Sequence, residues 1–184
     1  MLMERLFSEG IMQMGPSRVD PGREVGVFNP QRVAGLAAQR AAALRSFAWI
    51  AGEWDHENVV PATRVSPAYS DVGTSRFALG EGGSWICAVA PDGRELPQIT
   101  FDAFSRQWIY LLTRGSYGLL RSQEGWVGNT ITFTGAMTMI GVNLEWRMRW
   151  TRHIDDAFSF INEEQNPDGS WAYIDEWRFR RKPR

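Results

Sequence analysis

Residues 46–57 read SFAWIAGEWDHE, and the periodicity of the chain changes within them. To the left, Val33, Leu36, Ala37, Ala41, Leu44 and Phe47 recur at helical spacing, with Arg32, Gln39, Arg40 and Arg45 mostly on the other side. Asn29 is a suitable N-cap, Pro30 suits the first helical position, and Gly52 is a natural stop, so a helix is expected over 29–51. To the right the period becomes two. Trp54, His56, Asn58 and Val60 share one face of a strand; Glu53, Asp55, Glu57 and Val59 share the other.

Period-two runs then continue to the C-terminus. They fall at 73–79, 84–90, 98–104, 107–113, 117–122, 125–127, 130–135, 142–152, 157–164 and 171–181. Turn signals separate them: Glu81-Gly82-Gly83, Pro91-Asp92-Gly93, Gly128-Asn129 and Asn166-Pro167-Asp168-Gly169. No helical stretch lies between the runs, which excludes a parallel βαβ topology. The spacing predicts an all-β fold, an antiparallel up-and-down β-barrel of about 8–10 strands with an N-terminal helix. Residues 1–28 show no sustained period and are expected to form a loosely ordered arm. Its apolar residues (Leu2, Leu6, Phe7, Ile11, Met12, Met14) suit covering a barrel end or packing on a second subunit, so a homodimer is one expectation. Residues 29–184 are read as one barrel domain.

Composition limits the function. A net charge of −1 gives no field favouring nucleic acid or an anionic membrane. The crowd of Arg178, Arg180, Arg181, Lys182 and Arg184 has no second basic patch to work with. No 18-residue apolar run exists, and the N-terminus lacks the h-region of a signal peptide, so a cytoplasmic protein is expected. Cys87 is the single cysteine, and the two histidines lie far apart, which argues against a zinc site or any other bound metal. Walker, HExxH, CxxC and GxSxG motifs are absent. The nine Trp are unusual for 184 residues and suit sheets that enclose something bulky.

Gly52-Glu53-Trp54 at a helix-to-strand junction resembles the Gly-x-Trp motif of the lipocalins and wider calycin barrels. The span from Phe47 to Lys182 also resembles an uncharacterised group of bacterial lipocalin-like domains. Phe101–Trp108, Gly125-Trp126 and Trp171 through Arg178 carry that likeness. The resemblance implies that Gly52 and Trp54 close one end of the barrel, with Arg178 or Arg180 of the last strand packed over Trp54. It also implies a small apolar or aromatic ligand inside. Trp85, Trp108, Tyr110, Trp146 and Trp150 are the candidate walls, with His56 and Arg76 as polar anchors. Two further readings remain open. One is a barrel enzyme acting on a bound terpenoid, polyketide or phenolic substrate by acid–base chemistry. The other is haem binding, because nitrobindin-like calycin barrels hold haem through a histidine; here neither His56 nor His153 is matched to that ligand position. Otherwise no cofactor is expected. Glu145, Arg147 and Arg149 are expected in solvent if the Trp146 face lies inward. In a polar interior, Glu145 and Arg147 would instead meet Arg76 or Asp102. Asp175-Glu176 is the candidate site for a general acid, and His153 for a surface charge partner of Asp155-Asp156.

Overall fold

Pro30 opens helix α1 (Pro30–Leu44), in keeping with its fixed φ and missing N–H. In this computed structural model residues 30–183 are described, except 65, 114, 115 and 155. The arm expected over 1–28 therefore lies outside the described residues, as does Asn29. The helix does not run to residue 51. At Arg45 it tightens into a 3₁₀ segment, Arg45–Ile50. Three residues per turn place i and i+3 on one line, and Leu44, Phe47 and Ile50 stand at that spacing, each at most 1% exposed. This short segment, more than α1, is the plug of the barrel. The helix itself is largely exposed and is tied down by Arg40 Nε, which donates to the Phe101 carbonyl at 3.2 Å.

Eleven strands follow. They are β1 (Gly52–Val60), β2 (Tyr69–Leu79), β3 (Ile86–Val89), β4 (Glu95–Asp102), β5 (Gln107–Leu112) and β6 (Ser116–Ser122). After them come β7 (Trp126–Val127), β8 (Thr130–Met139), β9 (Val142–Ile154), β10 (Ala157–Gln165) and β11 (Trp171–Arg181). Sequential antiparallel pairing runs β1 to β6 and β8 to β11; β1 pairs with β11, and β6 with β8. The sheet thus closes into an antiparallel barrel of ten strands, with β7 a short flap on β8. Closure leaves no full-length free edge.

Register follows from the pleat. Trp54, His56 and Asn58 stand opposite Arg181, Phe179 and Trp177 of β11, and opposite Ser75, Gly73 and Asp71 of β2. All of these are inward positions. The plug end is packed with rings. Phe47 meets Trp108 at 5.0 Å and Trp126 at 4.9 Å, and Trp49 meets Trp54 and Phe158 edge-on. Trp54 is fully buried and its Nε1–H donates to the Ile50 carbonyl at 2.7 Å.

The arginine over Trp54 is Arg181, with its guanidinium carbon 4.2 Å from the ring centroid. Arg178 and Arg180 were expected there, and both point to the outer face. Trp177 and Phe179 face inward, so the residues between and after them alternate outward, inward only at odd positions. Arg178 pairs outside with Glu176 at 2.6 Å and Glu57 at 3.8 Å. Arg181 also donates to the carbonyls of Ala51 and Trp49, tying the last strand to the plug. Gly52 makes room for it. Its φ is +131°, and a Cβ there would lie 2.7 Å from Arg181 Nη1.

Among the described residues no helix is long and apolar enough to cross a membrane.

Candidate functional site

Strand lengths create an opening in the wall. β2 has eleven residues, but β3 has four and pairs with β2 only at Phe77, Ala78 and Leu79. Beyond Phe77 the β3 chain turns away through Ala90–Gly93, so Tyr69–Arg76 lacks a β3 partner. A cavity of about 530 Å³ occupies this part of the barrel. Its lining combines inward residues with the outward Glu53, Thr74 and Arg76, so it reaches the outside beside β2.

Six aromatic residues form most of the wall: Phe77, Tyr110, Trp150, Phe160, Trp177 and Phe179. Four of them, Trp150, Phe160, Trp177 and Phe179, form a stacked series with Phe158 behind it, while Phe77 and Tyr110 meet their neighbours at an angle. Phe158 lies on Phe179 at 4.2 Å and 2°, Trp150 on Phe160 at 4.9 Å and 22°, and Phe160 on Trp177 at 5.8 Å and 20°. Ser75 and Gln98 supply the polar lining on the inner side.

The expected site residues separate into groups. Arg76, Tyr110 and Trp150 line the cavity. Trp108 belongs to the plug end, against Phe47 and Phe101. Trp85 is half-buried just ahead of β3, outside the lining, and its carbonyl accepts from Gly80 N–H. Trp146 is buried further along β9, with its Nε1–H donating to Asn162 Oδ1 at 3.2 Å.

His56 faces inward, as its parity with Trp54 requires, but it stands behind the lining. Its ring packs on Trp177 at 5.2 Å and Phe179 at 5.9 Å. Nδ1 is hydrogen-bonded to Ser75 Oγ at 2.9 Å, and Nε2 stands over Gly73, where a Cβ would come within 2.9 Å. Burial lowers the His56 pKa against the opposing pull of Asp71 and Asp55, which favours the neutral ring. Ser75 thus carries the influence of His56 to the cavity.

Two polar groups involve the charged residues Arg147 and Arg149 and the carboxyl of Asp175 that the sequence singles out. On the outer face Glu163 is 6% exposed, yet it is ionised and doubly clasped. Arg147 donates to it at 2.6 and 2.8 Å, and Arg149 at 2.9 and 3.2 Å. Burial pushes the Glu163 carboxyl up, but the two guanidinium groups outweigh it and hold the carboxyl below its usual range. Arg147 also lies 4.4 Å over the Trp171 ring. The charges beside Trp146 therefore form an outer clasp, while Glu145 is exposed and Asp102 caps its own turn through Phe104 N–H and Ser105. His153 bonds Ser159 Oγ at 2.9 Å.

The second group lies inside, toward the end away from the plug. A register shift between Asn162 and Glu163 absorbs Ile174 on β11 and leaves Asp175 opposite Asn162. Asn162 Nδ2 donates to Asp175 Oδ1 at 2.7 Å. Burial raises the Asp175 pKa above its ordinary range; the Asn162 bond and the nearby Trp177 side chain oppose the rise without cancelling it.

The overlooked wall residues carry a signal in the sequence. Trp177 and Phe179 share the inward parity of the last strand, and Phe160 that of β10. Ser75 has no such signal, because its importance comes from the shortness of β3.

No protein-family model matches the chain, and no curated protein matches it. Among solved structures the chain is similar to Rv2717c from M. tuberculosis, with 13% identity and a TM-score of 0.47, over 77% of this chain and 98% of that one. It is also similar to a protein of unknown function of the DUF3598 family from Nostoc punctiforme. That likeness has 14% identity and a TM-score of 0.38, over 73% of this chain and 48% of that one. Neither likeness bears on what this chain does.

Proposed function

We propose that this barrel binds a small hydrophobic or aromatic molecule in the cavity beside β2. The observation that carries the reading is the aromatic wall itself: six rings line a cavity of about 530 Å³, with Glu53, Thr74, Ser75, Arg76 and Gln98 as its polar groups. Small-molecule sites have that character, at roughly 300–1,000 Å³ with sparse polar groups that fix orientation. A side chain that fills the space tests it. Ala88 lines the cavity opposite Phe77, so Ala88→Phe should abolish binding of an apolar fluorescent dye while leaving the β circular dichroism intact. Equal dye binding by wild type and Ala88→Phe would place the ligand elsewhere and remove this reading.

One contact favours a second reading, catalysis. Ser75 Oγ lines the cavity and is bonded to a histidine whose environment favours the neutral form, the arrangement an acid–base step needs. In that case His56→Gln loses turnover of a bound phenolic substrate and keeps its affinity. Haem held through a histidine has less support: the described lining contains no histidine, His56 Nδ1 is bonded to Ser75 Oγ, and Nε2 stands over Gly73.

A further inference from the structure

Five polar side chains hold inward positions on neighbouring strands at the end of the barrel away from the plug. Asn58 is on β1, Asp71 on β2, Asn162 and Glu164 on β10, and Asp175 on β11. Three are carboxylates. Among the described inward positions at this end there is no lysine or arginine; Arg152 and Arg181 belong to the plug end, over Trp49 and Trp54.

An independent observation comes from Asn58. It is 9% exposed, and its buried Oδ1 accepts no hydrogen bond from any described group. A buried carbonyl left unpaired is destabilising. It stands opposite Trp177 on one side and Asp71 on the other, which makes it an acceptor aimed at the same region as the carboxylates. Asp175 forms no ion pair with a described residue, and the Asn162 bond leaves acceptor capacity on its carboxyl group.

Trp177 links these acceptors to the cavity. Its ring lines the cavity and stacks on Phe160, and Asp175 is the next inward position on the same strand. A donor group brought by a ligand would thus find acceptors just beyond the aromatic wall, with the ring best suited to a cation beside it. We infer that the ligand of this barrel is an aromatic amine: its ring lies among Phe160, Trp177 and Trp150, and its ammonium group is received by Asp175 and Asn58 Oδ1. The inference rests on the proposed binding function and narrows it to cationic ligands. A matching acid would instead bring its carboxylate to an end that holds three carboxyl groups and no described inward cation.

Three probes of equal shape separate the two ideas: 2-(2-naphthyl)ethylammonium, 2-(2-naphthyl)ethanol and 3-(2-naphthyl)propionate. Each is titrated calorimetrically into wild type, Asp175→Asn and Asn58→Leu. The ammonium should bind wild type about tenfold or more tightly than the alcohol, the scale expected for one charged hydrogen bond. Asp175→Asn should lose that preference and bind the alcohol within about twofold of wild type. Asn58→Leu keeps the side-chain size and removes an unpartnered acceptor. It should fold at least as well as wild type and weaken only the ammonium, which keeps the test open even where Asp175→Asn misfolds. Tight binding of alcohol or acid with no preference for the ammonium overturns the inference and leaves the binding function standing. Failure of all three probes to bind overturns both.

Discussion

Arg181→Met isolates the latch between the last strand and the plug. The substitution keeps the methylene stem against Trp54 and removes the guanidinium. Lost with it are the hydrogen bonds to the carbonyls of Ala51, at 2.9 Å, and Trp49, together with the contact 4.2 Å over the Trp54 ring. A charged hydrogen bond contributes about 1.5–3 kcal/mol where water is excluded and less where it is not. The Ala51 bond is exposed and is discounted accordingly. The cation–π contact adds about 0.5–2 kcal/mol. The expected loss is about 2–4 kcal/mol, a fall in Tm of about 5–15 °C for a domain of this size. Arg178→Met and Arg180→Met serve as controls on the same strand. Arg178 holds only an exposed pair with Glu176 and Glu57, and Arg180 is exposed, so each should cost under about 1 kcal/mol. Urea denaturation followed by circular dichroism and by tryptophan fluorescence gives the three values, and agreement of the two probes confirms a single transition. If either control costs as much as Arg181→Met, or Arg181→Met costs under about 0.5 kcal/mol, the guanidinium does not latch the plug and the reasoning is wrong.

Gly52→Ala combines a strained φ of +131° with a Cβ 2.7 Å from Arg181 Nη1; it should cost more than about 1 kcal/mol and show clear non-additivity with Arg181→Met in a double-mutant cycle. Glu163→Gln breaks the paired hydrogen bonds from Arg147 and Arg149 and, with both arginines partly exposed, should cost about 1–3 kcal/mol at neutral pH. Because the folded Glu163 carboxyl is held low, its contribution is present above the unfolded pKa and lost as pH falls through the folded one. Glu163→Gln should therefore flatten the acid limb of a stability–pH profile. Asp175 has the opposite sign: its folded pKa is raised, so ionising it costs stability as pH rises through that value. Asp175→Asn should match or exceed wild-type stability at neutral pH and lose that advantage in acid, as measured by urea midpoints across pH.

The barrel is legible in the sequence because period two is a direct consequence of the pleat. Trp54 and His56 had to share a face, and Trp171–Arg181 is the strand expected. The choice among three arginines was also decidable, since inward Trp177 and Phe179 select Arg181; the general resemblance to a calycin end-cap obscured that parity. The helix end was not decidable. Leu44 and Phe47 are three apart, and that spacing serves an α-helix and a 3₁₀ segment equally. Nor was the opening beside β2. The run 84–90 reads as seven residues bounded by turns, yet only 86–89 form a strand, because pairing length is set by neighbouring strands and turns. The same limit left the side of Asp175 open: its inward place depends on where the β10–β11 register shift falls, which alternation in one strand does not specify.

The aromatic supply of this chain serves two distinct purposes, and the geometry separates them. At the plug, Phe47, Trp49, Trp54 and Phe158 meet mostly edge-to-face and exclude space. Along β9, β10 and β11, Trp150, Phe160, Trp177 and Phe179 present stacked faces to the cavity. Edge-to-face clusters interlock, whereas a row of near-parallel faces leaves one broad surface open for another flat ring. For the proposed ligand the wall is preformed, since each of these rings is backed by another. Less side-chain entropy is then lost on binding. Gly73 has a part in this, because only a residue without Cβ leaves His56 room to lie behind Trp177 and Phe179. The plug and the stacked wall are therefore two neighbouring ring clusters of one core with different packing. Changes at Arg181 act on the plug and leave the stacked wall in place, while changes at Trp177 or Gly73 act on the wall and leave the plug closed.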